Sequence, residues 1–231
     1  MKPTVLQAFK HRAGAVSLVM FAWASFVPVG RISAISHRLK SQPVISVGVY
    51  NYAGLGRLQL QVAEHQVAAL FAKAGVRIAW LEYSSKHLPA SSGEPAPDFS
   101  VRILNVSRIL RARRISGTDA LGQSIMAPAG TQWTVPGRIA NVFYDRVEHV
   151  SSLWGLFRGE VMGNAIAHEL GHLLLGPQHS HRGIMKADWT PQDLALSSRG
   201  QLRFSAKQAV ELRRAARSLH KNLSLSVTAQ R

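Results

Sequence analysis

Residues 156–175 have the sequence LFRGEVMGNAIAHELGHLLL, and GPQH follows at 176–179. The twenty-residue stretch is rich in Leu, Ala and Ile, and this pattern predicts a buried helix of about five turns. Gly176 and Pro177 are expected to end it, because glycine often follows the last helical residue and proline cannot continue a helix. The rest of the chain is therefore expected to pack around this apolar helix.

The most apolar part of the predicted helix contains His168, Glu169 and His172. With 3.6 residues per turn, the two histidines lie on one face and can bind one Zn²⁺ at about 2.0–2.1 Å each. Glu169 can then act on the water that completes the coordination sphere, whose pKa the metal lowers. The alternative is two solvated histidines on a helix face. Burying these groups in an apolar helix is costly unless something pairs them, which favours the metal site.

A third protein ligand is expected, because catalytic zinc usually has three protein ligands and one water. Four of the ten histidines lie between residues 168 and 181. His179 is the preferred third ligand and His181 is the alternative, since both follow the predicted turn at Gly176. Asp188 is a further carboxylate that either supports the site or is simply solvated in its loop.

The segment resembles the metzincin clan of zinc metallopeptidases. The resemblance rests on His168-Glu169-x-x-His172, Gly176, His179 and the later Gly183-Ile184-Met185. The clan pattern is H-E-x-x-H-x-x-G-x-x-H followed by a Met-turn, and this chain has one extra residue before the glycine. The resemblance implies that Gly176 turns the chain back towards the metal and that Met185 forms a hydrophobic floor beneath it. It also implies that Arg138–Tyr144 is an antiparallel edge strand that pairs with an extended peptide substrate.

The order of the predicted strands and helices indicates a single α+β domain. The resemblance implies that this domain is zincin-like, with a mixed sheet, the active-site helix and a C-terminal helix. Gly75 is expected at the end of the first helix, Asp145 as the cap of a short helix, and Ser205 as the cap of the last helix. The predicted strands and outer helices are Val44–Tyr52, Leu58–Ala74, Val76–Leu81, Phe99–Val106, Arg138–Tyr144 and Ser205–Leu219.

The N-terminal sequence predicts that the protein is exported from the cytoplasm. Lys2, Lys10 and Arg12 precede an uncharged apolar run, and Ala22-Trp23-Ala24 fits the site that a signal peptidase recognises. Residues 1–24 are therefore interpreted as a cleaved signal peptide, or residues 1–30 as an uncleaved membrane anchor. Residues 25–40 then form a linker and residues 41–231 the zincin-like domain. Both interpretations place the domain outside the cytoplasm, as a secreted or periplasmic protein.

Composition excludes several classes of protein. The 231 residues carry a net charge of +16, and 46% are hydrophobic, which excludes a disordered chain. The absence of cysteine excludes thiol nucleophiles, zinc ribbons and iron–sulfur clusters. The basic cluster Arg108–Arg114 lacks interleaved aromatic residues, so no specific nucleic-acid partner is predicted. The charge instead suits association with an anionic cell surface.

Two functions follow from these features. The first is a secreted zinc metallopeptidase that acts on a peptide or protein. In it His168, His172 and His179 hold the metal, Glu169 is the general base, and Tyr144 is a candidate for stabilising the transition state. The second is an exported, non-catalytic zinc-binding protein that keeps a zincin fold.

Overall fold

A mixed five-stranded sheet forms one layer of the domain. The computed structural model describes residues 42–82, 96–105, 120–126 and 138–228, all within one compact unit, Ser41–Arg231. The strand order is β2-β1-β3-β5-β4, with β4 antiparallel to β5 and the other pairs parallel. The strands are β1 Val44–Asn51, β2 Arg77–Glu82, β3 Phe99–Leu104, β4 Gly122–Met126 and β5 Arg138–Phe143.

Helices form the second layer. Helix α1 packs along α3, and α3 also contacts β4 and β5. The core between helices and sheet is apolar and includes Val47, Val101 and Val142 from the strands and Phe71 and Ile166 from α1 and α3. The described helices are α1 Arg57–Ala74, α2 Tyr144–Trp154, α3 Arg158–Leu175, α4 Pro191–Ser198 and α5 Ala206–Thr228. The fold is thus α+β, a single domain with a mixed sheet, as the sequence pattern predicts.

Most predicted elements differ from the observed ones by only a few residues at their ends. Gly75 has the left-handed conformation expected at the end of α1, with φ 81°. Ser205 caps α5, because its hydroxyl accepts from the Gln208 amide at 3.2 Å and the Gln208 side chain accepts from the Ser205 amide at 2.8 Å. The prediction that Asp145 caps α2 is wrong. The helix begins at Tyr144 with Phe143 as its N-cap, so Asp145 lies in the first turn.

The predicted edge strand is a second error. β5 lies between β3 and β4 and runs parallel to β3. The antiparallel edge is β4, which precedes it in the chain. The apolar run of β5 suits a strand with neighbours on both sides. The sequence of β4, GQSIM, has too few apolar and β-branched residues to indicate a strand.

Some predictions concern residues outside the described ranges. These are the signal or anchor at 1–30, the linker at 25–40 and the basic cluster Arg108–Arg114. Within the described part of the chain, none of the helices combines the length and the apolar character that crossing a membrane requires.

Candidate metal centre

Three histidine side chains converge at one point beside α3. His168 and His172 lie one turn apart on the helix, and their Nε2 atoms are 2.9 Å apart. The Nε2 atom of His179, in the loop after the helix, lies 3.2 Å from that of His172. Among the described residues these three form a group whose ligand atoms all lie within 4.8 Å of one another. The structure thus brings the two helical histidines together with the preferred third ligand.

Main-chain carbonyls fix the tautomers of the two helical histidines. His168 Nδ1 lies 2.7 Å from the Ile184 oxygen, and His172 Nδ1 lies 3.0 Å from the Gly176 oxygen. A carbonyl oxygen only accepts, so each Nδ1 carries the hydrogen and each neutral ring has an Nε2 lone pair facing the other ring. Lone pairs at this separation repel unless a cation lies between them. Tetrahedral coordination by nitrogen ligands at 2.0–2.1 Å places the donors about 3.3 Å apart. The two separations of 2.9 and 3.2 Å are close to this value, so the three histidines could hold a metal ion.

Burial favours the neutral form of His168 and of His179. His168 is 8% exposed, and burial is the main reason why its pKa is lowered to about 4. The hydrogen bond to the Ile184 carbonyl opposes this shift, whereas the charges of His172 and His179 lower the pKa further. Burial, and then the charge of His172, also lowers the pKa of His179, while Asp188 opposes the shift. Neutral imidazoles are the form that binds a metal, because a protonated ring has no lone pair to offer.

Gly176 directs the chain back to the site. It ends α3 with φ 93° and ψ −178°, a conformation that other residues rarely adopt, and its carbonyl faces His172. The following loop is closed by a hydrogen bond from the Ser180 amide to the Met185 oxygen at 2.8 Å. This loop carries His179 to the other two histidines.

Met185 lies against α3 at the level of the site. It is fully buried, and a Cβ atom on Gly171 would clash with its sulfur and lie 3.2 Å from its methyl group. The glycine inside the H-E-L-G-H segment therefore lets the methionine pack directly on the helix backbone. Because Met185 follows Ile184, whose carbonyl oxygen lies 2.7 Å from His168 Nδ1, this packing also helps to hold His168 in place.

Glu169 is buried against the edge strand. It is 6% exposed, and its Oε2 accepts a hydrogen bond from Ser124 Oγ at 2.5 Å. Burial raises the pKa of Glu169, and the hydrogen bond from Ser124 and the charge of His172 oppose the shift. Ser124 and the neighbouring Gly122 are site residues that the sequence pattern did not indicate, because β4 was not recognised as a strand.

A cavity of about 770 Å³ opens beside the three histidines. One wall is the edge strand, and Trp189, whose ring centroid is 5.4 Å from that of His168, lies on another side. The rest of the lining is mostly apolar and includes Leu121, Val150, Trp154, Ala165, Leu173 and Leu194. The cavity therefore combines the three histidines with space for a large apolar group.

Three further residues were candidates for roles at the site, and the structure places each of them differently. His181 is exposed and lies outside the histidine group. Tyr144 does not line the cavity, and its hydroxyl instead accepts a hydrogen bond from Arg158 at 3.0 Å. It is therefore not positioned to stabilise a transition state there. Asp188 does line the cavity, and its charge acts on His179.

Comparisons with known proteins give a likeness in structure but not in sequence. No family model and no curated protein matches the sequence. Among solved structures, the chain is similar to the crystal structure of metalloproteinase-II from Bacteroides fragilis, with 12% sequence identity and a TM-score of 0.47. The match covers 75% of this chain and 53% of that one, so this chain spans about half the length of that structure.

Proposed function

We propose that this chain is an exported zinc-dependent peptidase. The observation that carries the proposal is the convergence of three imidazoles beside a buried carboxylate, in the lining of one cavity. His168, His172 and His179 would hold the zinc. When bound, zinc lowers the pKa of a water and polarises a carbonyl oxygen.

Glu169 is the proposed general base. Its neighbour His168 is a proposed ligand, and its own carboxyl group lies outside the ligand group while lining the same cavity. A carboxyl with a raised pKa is well suited to accept a proton at neutral pH and to return it to a leaving amine. The chain's own contribution is thus a base fixed beside the metal-binding nitrogens.

The substrate proposed is an extended peptide with a large apolar side chain next to the cleaved bond. Among the described strands, β4 pairs only with β5, so its outer edge is the place where an extended chain can add to the sheet. The apolar part of the cavity, which includes Trp154 and Leu194, lies next to this strand and can receive the side chain.

The test compares Glu169→Gln with the matched control Glu211→Gln, whose residue is exposed on α5. Each zinc-loaded protein is incubated with a fluorescence-quenched peptide library. Glu169→Gln should retain zinc and lose about 10²- to 10⁴-fold in rate, the usual contribution of a general base, whereas Glu211→Gln should cleave like wild type. Undiminished cleavage by Glu169→Gln would refute its role. A zinc-loaded wild type that cleaves nothing would favour the non-catalytic zinc-binding protein.

A further inference from the structure

In the part of the chain that the structure describes, Ser124 of the edge strand donates a hydrogen bond to the carboxyl group of Glu169. A glutamate side chain has three rotatable bonds, so adjacency to His168 alone does not set where its carboxyl group points. Ser124 supplies the missing constraint, because its Oγ lies 2.5 Å from Glu169 Oε2 and 2.9 Å from the main-chain oxygen of the same residue. Both acceptors of this hydroxyl belong to Glu169.

Gly122 provides space on the same strand. A Cβ atom at this position would lie 2.7 Å from Glu169 Cγ and 2.8 Å from Oε1. Any side chain there would push the carboxyl group away from β4. A glycine and a serine two residues apart on one strand therefore both meet the Glu169 side chain, since residues i and i+2 face the same side of a sheet.

The strand that carries these two residues is itself fixed by pairing. Gly122 lies opposite Val142 and Ser124 opposite Ala140, in the antiparallel ladder with β5. The amide of Phe143 also donates to the Leu121 oxygen at 2.9 Å. Backbone pairing with β5 therefore fixes the main chain of Ser124 independently of the Glu169 side chain.

From these contacts we infer that Ser124 is a positioning residue that orients the Glu169 carboxylate towards the metal-facing side of the cavity. The inference rests on the proposed function and adds a residue to it. It implies that the strand proposed to receive the substrate also sets the direction of the base.

The test compares Ser124→Thr with Ser124→Val, which have nearly the same shape and differ in the hydroxyl. Both residues are β-branched and suit a strand, so the pair separates the hydrogen bond from folding. Ser218→Ala, on the exposed face of α5, controls for the loss of a hydroxyl elsewhere. The readouts are zinc content, kcat and KM on one peptide, and crystal structures of both zinc-loaded variants.

Ser124→Val should bind zinc and lose about 10- to 100-fold in kcat, the usual cost of removing an outer partner of a metal site, with KM nearly unchanged. Ser124→Thr should restore most of kcat. In the crystal structures, the Glu169 carboxyl group should turn away from β4 in Ser124→Val and keep its wild-type position in Ser124→Thr.

Equal kcat values for the two variants together with one common Glu169 orientation would overturn the inference. A loss of kcat in both variants, with the carboxyl group unmoved, would overturn it as well. If the wild type cleaves no peptide, the proposed function fails, but the crystal structures still decide whether Ser124 sets the orientation of Glu169.

Discussion

Gly171→Ala tests whether Met185 is held against the active-site helix. In a helix interior, alanine is favoured over glycine by about 1 kcal/mol, so the substitution should stabilise α3 if space allows. The structure leaves no space, because the new Cβ would meet the Met185 sulfur and lie 3.2 Å from both Met185 Cε and Phe204 Cε1. Met185 is fully buried and cannot move into solvent. Overpacking of this kind costs about 1–3 kcal/mol.

The net expectation is a loss of about 1 kcal/mol in the free energy of unfolding, since the packing cost exceeds the helix gain. The control is the same substitution in a Met185→Ala background. Removal of the long side chain creates space there, so Gly171→Ala should now stabilise the protein by up to about 1 kcal/mol. The coupling between the two sites is then about 2 kcal/mol, within the range of residues in contact.

Urea unfolding of the four metal-free proteins measures this coupling. The zinc affinity of Gly171→Ala should fall as well, because Ile184, whose carbonyl holds His168, is the residue before Met185. A Gly171→Ala protein more stable than wild type, with the same gain in both backgrounds, would refute the packing of Met185 on the helix.

Two further predictions concern the stability of the metal-free protein at low pH and the choice of substrate. Burial lowers the pKa of His168 to about 4 from 6.5, so the unfolded chain takes up this proton first as the pH falls. Between about pH 7.5 and pH 4, the metal-free wild type should therefore lose about 3 kcal/mol more of its unfolding free energy than His168→Gln loses. Urea unfolding measures this free energy for both proteins, and the same pH dependence in the two would contradict the expectation. Trp154→Ala should enlarge the apolar cavity and shift cleavage towards larger side chains by about tenfold or more. Competition between peptides that differ at one residue measures the shift, and an unchanged preference would place the substrate side chain elsewhere.

The sequence is most informative where one helix carries both periodicity and chemistry. The apolar pattern of residues 156–175 predicts α3 to within two residues at its start, and Gly176 marks its observed end. The spacing of His168 and His172 follows directly from helical geometry, so their convergence could be predicted without coordinates. The placement of His179 depends on a loop, and there the sequence offers two histidines, of which His179 is preferred and His181 remains the alternative.

The edge strand is where sequence patterns fail. β4 has five residues and few apolar side chains, because an edge strand next to a polar site needs no continuous apolar run. Its glycine and serine are explained only by Glu169, which lies 45 residues or more further along the chain. A contact of this kind leaves no local pattern. The sequence pattern did not indicate helix α4 either, for a different reason. Its capping box of Thr190 and Asp193 begins a helix of only about two turns.

The zinc content of the purified protein tests the central claim most directly, with His179→Ala and His181→Ala measured beside the wild type. We expect one zinc per chain in the wild type and in His181→Ala, and a much weaker, readily dialysed zinc in His179→Ala, because three donors are reduced to two. A wild type without stoichiometric zinc, or a loss of zinc in His181→Ala but not in His179→Ala, would contradict the account.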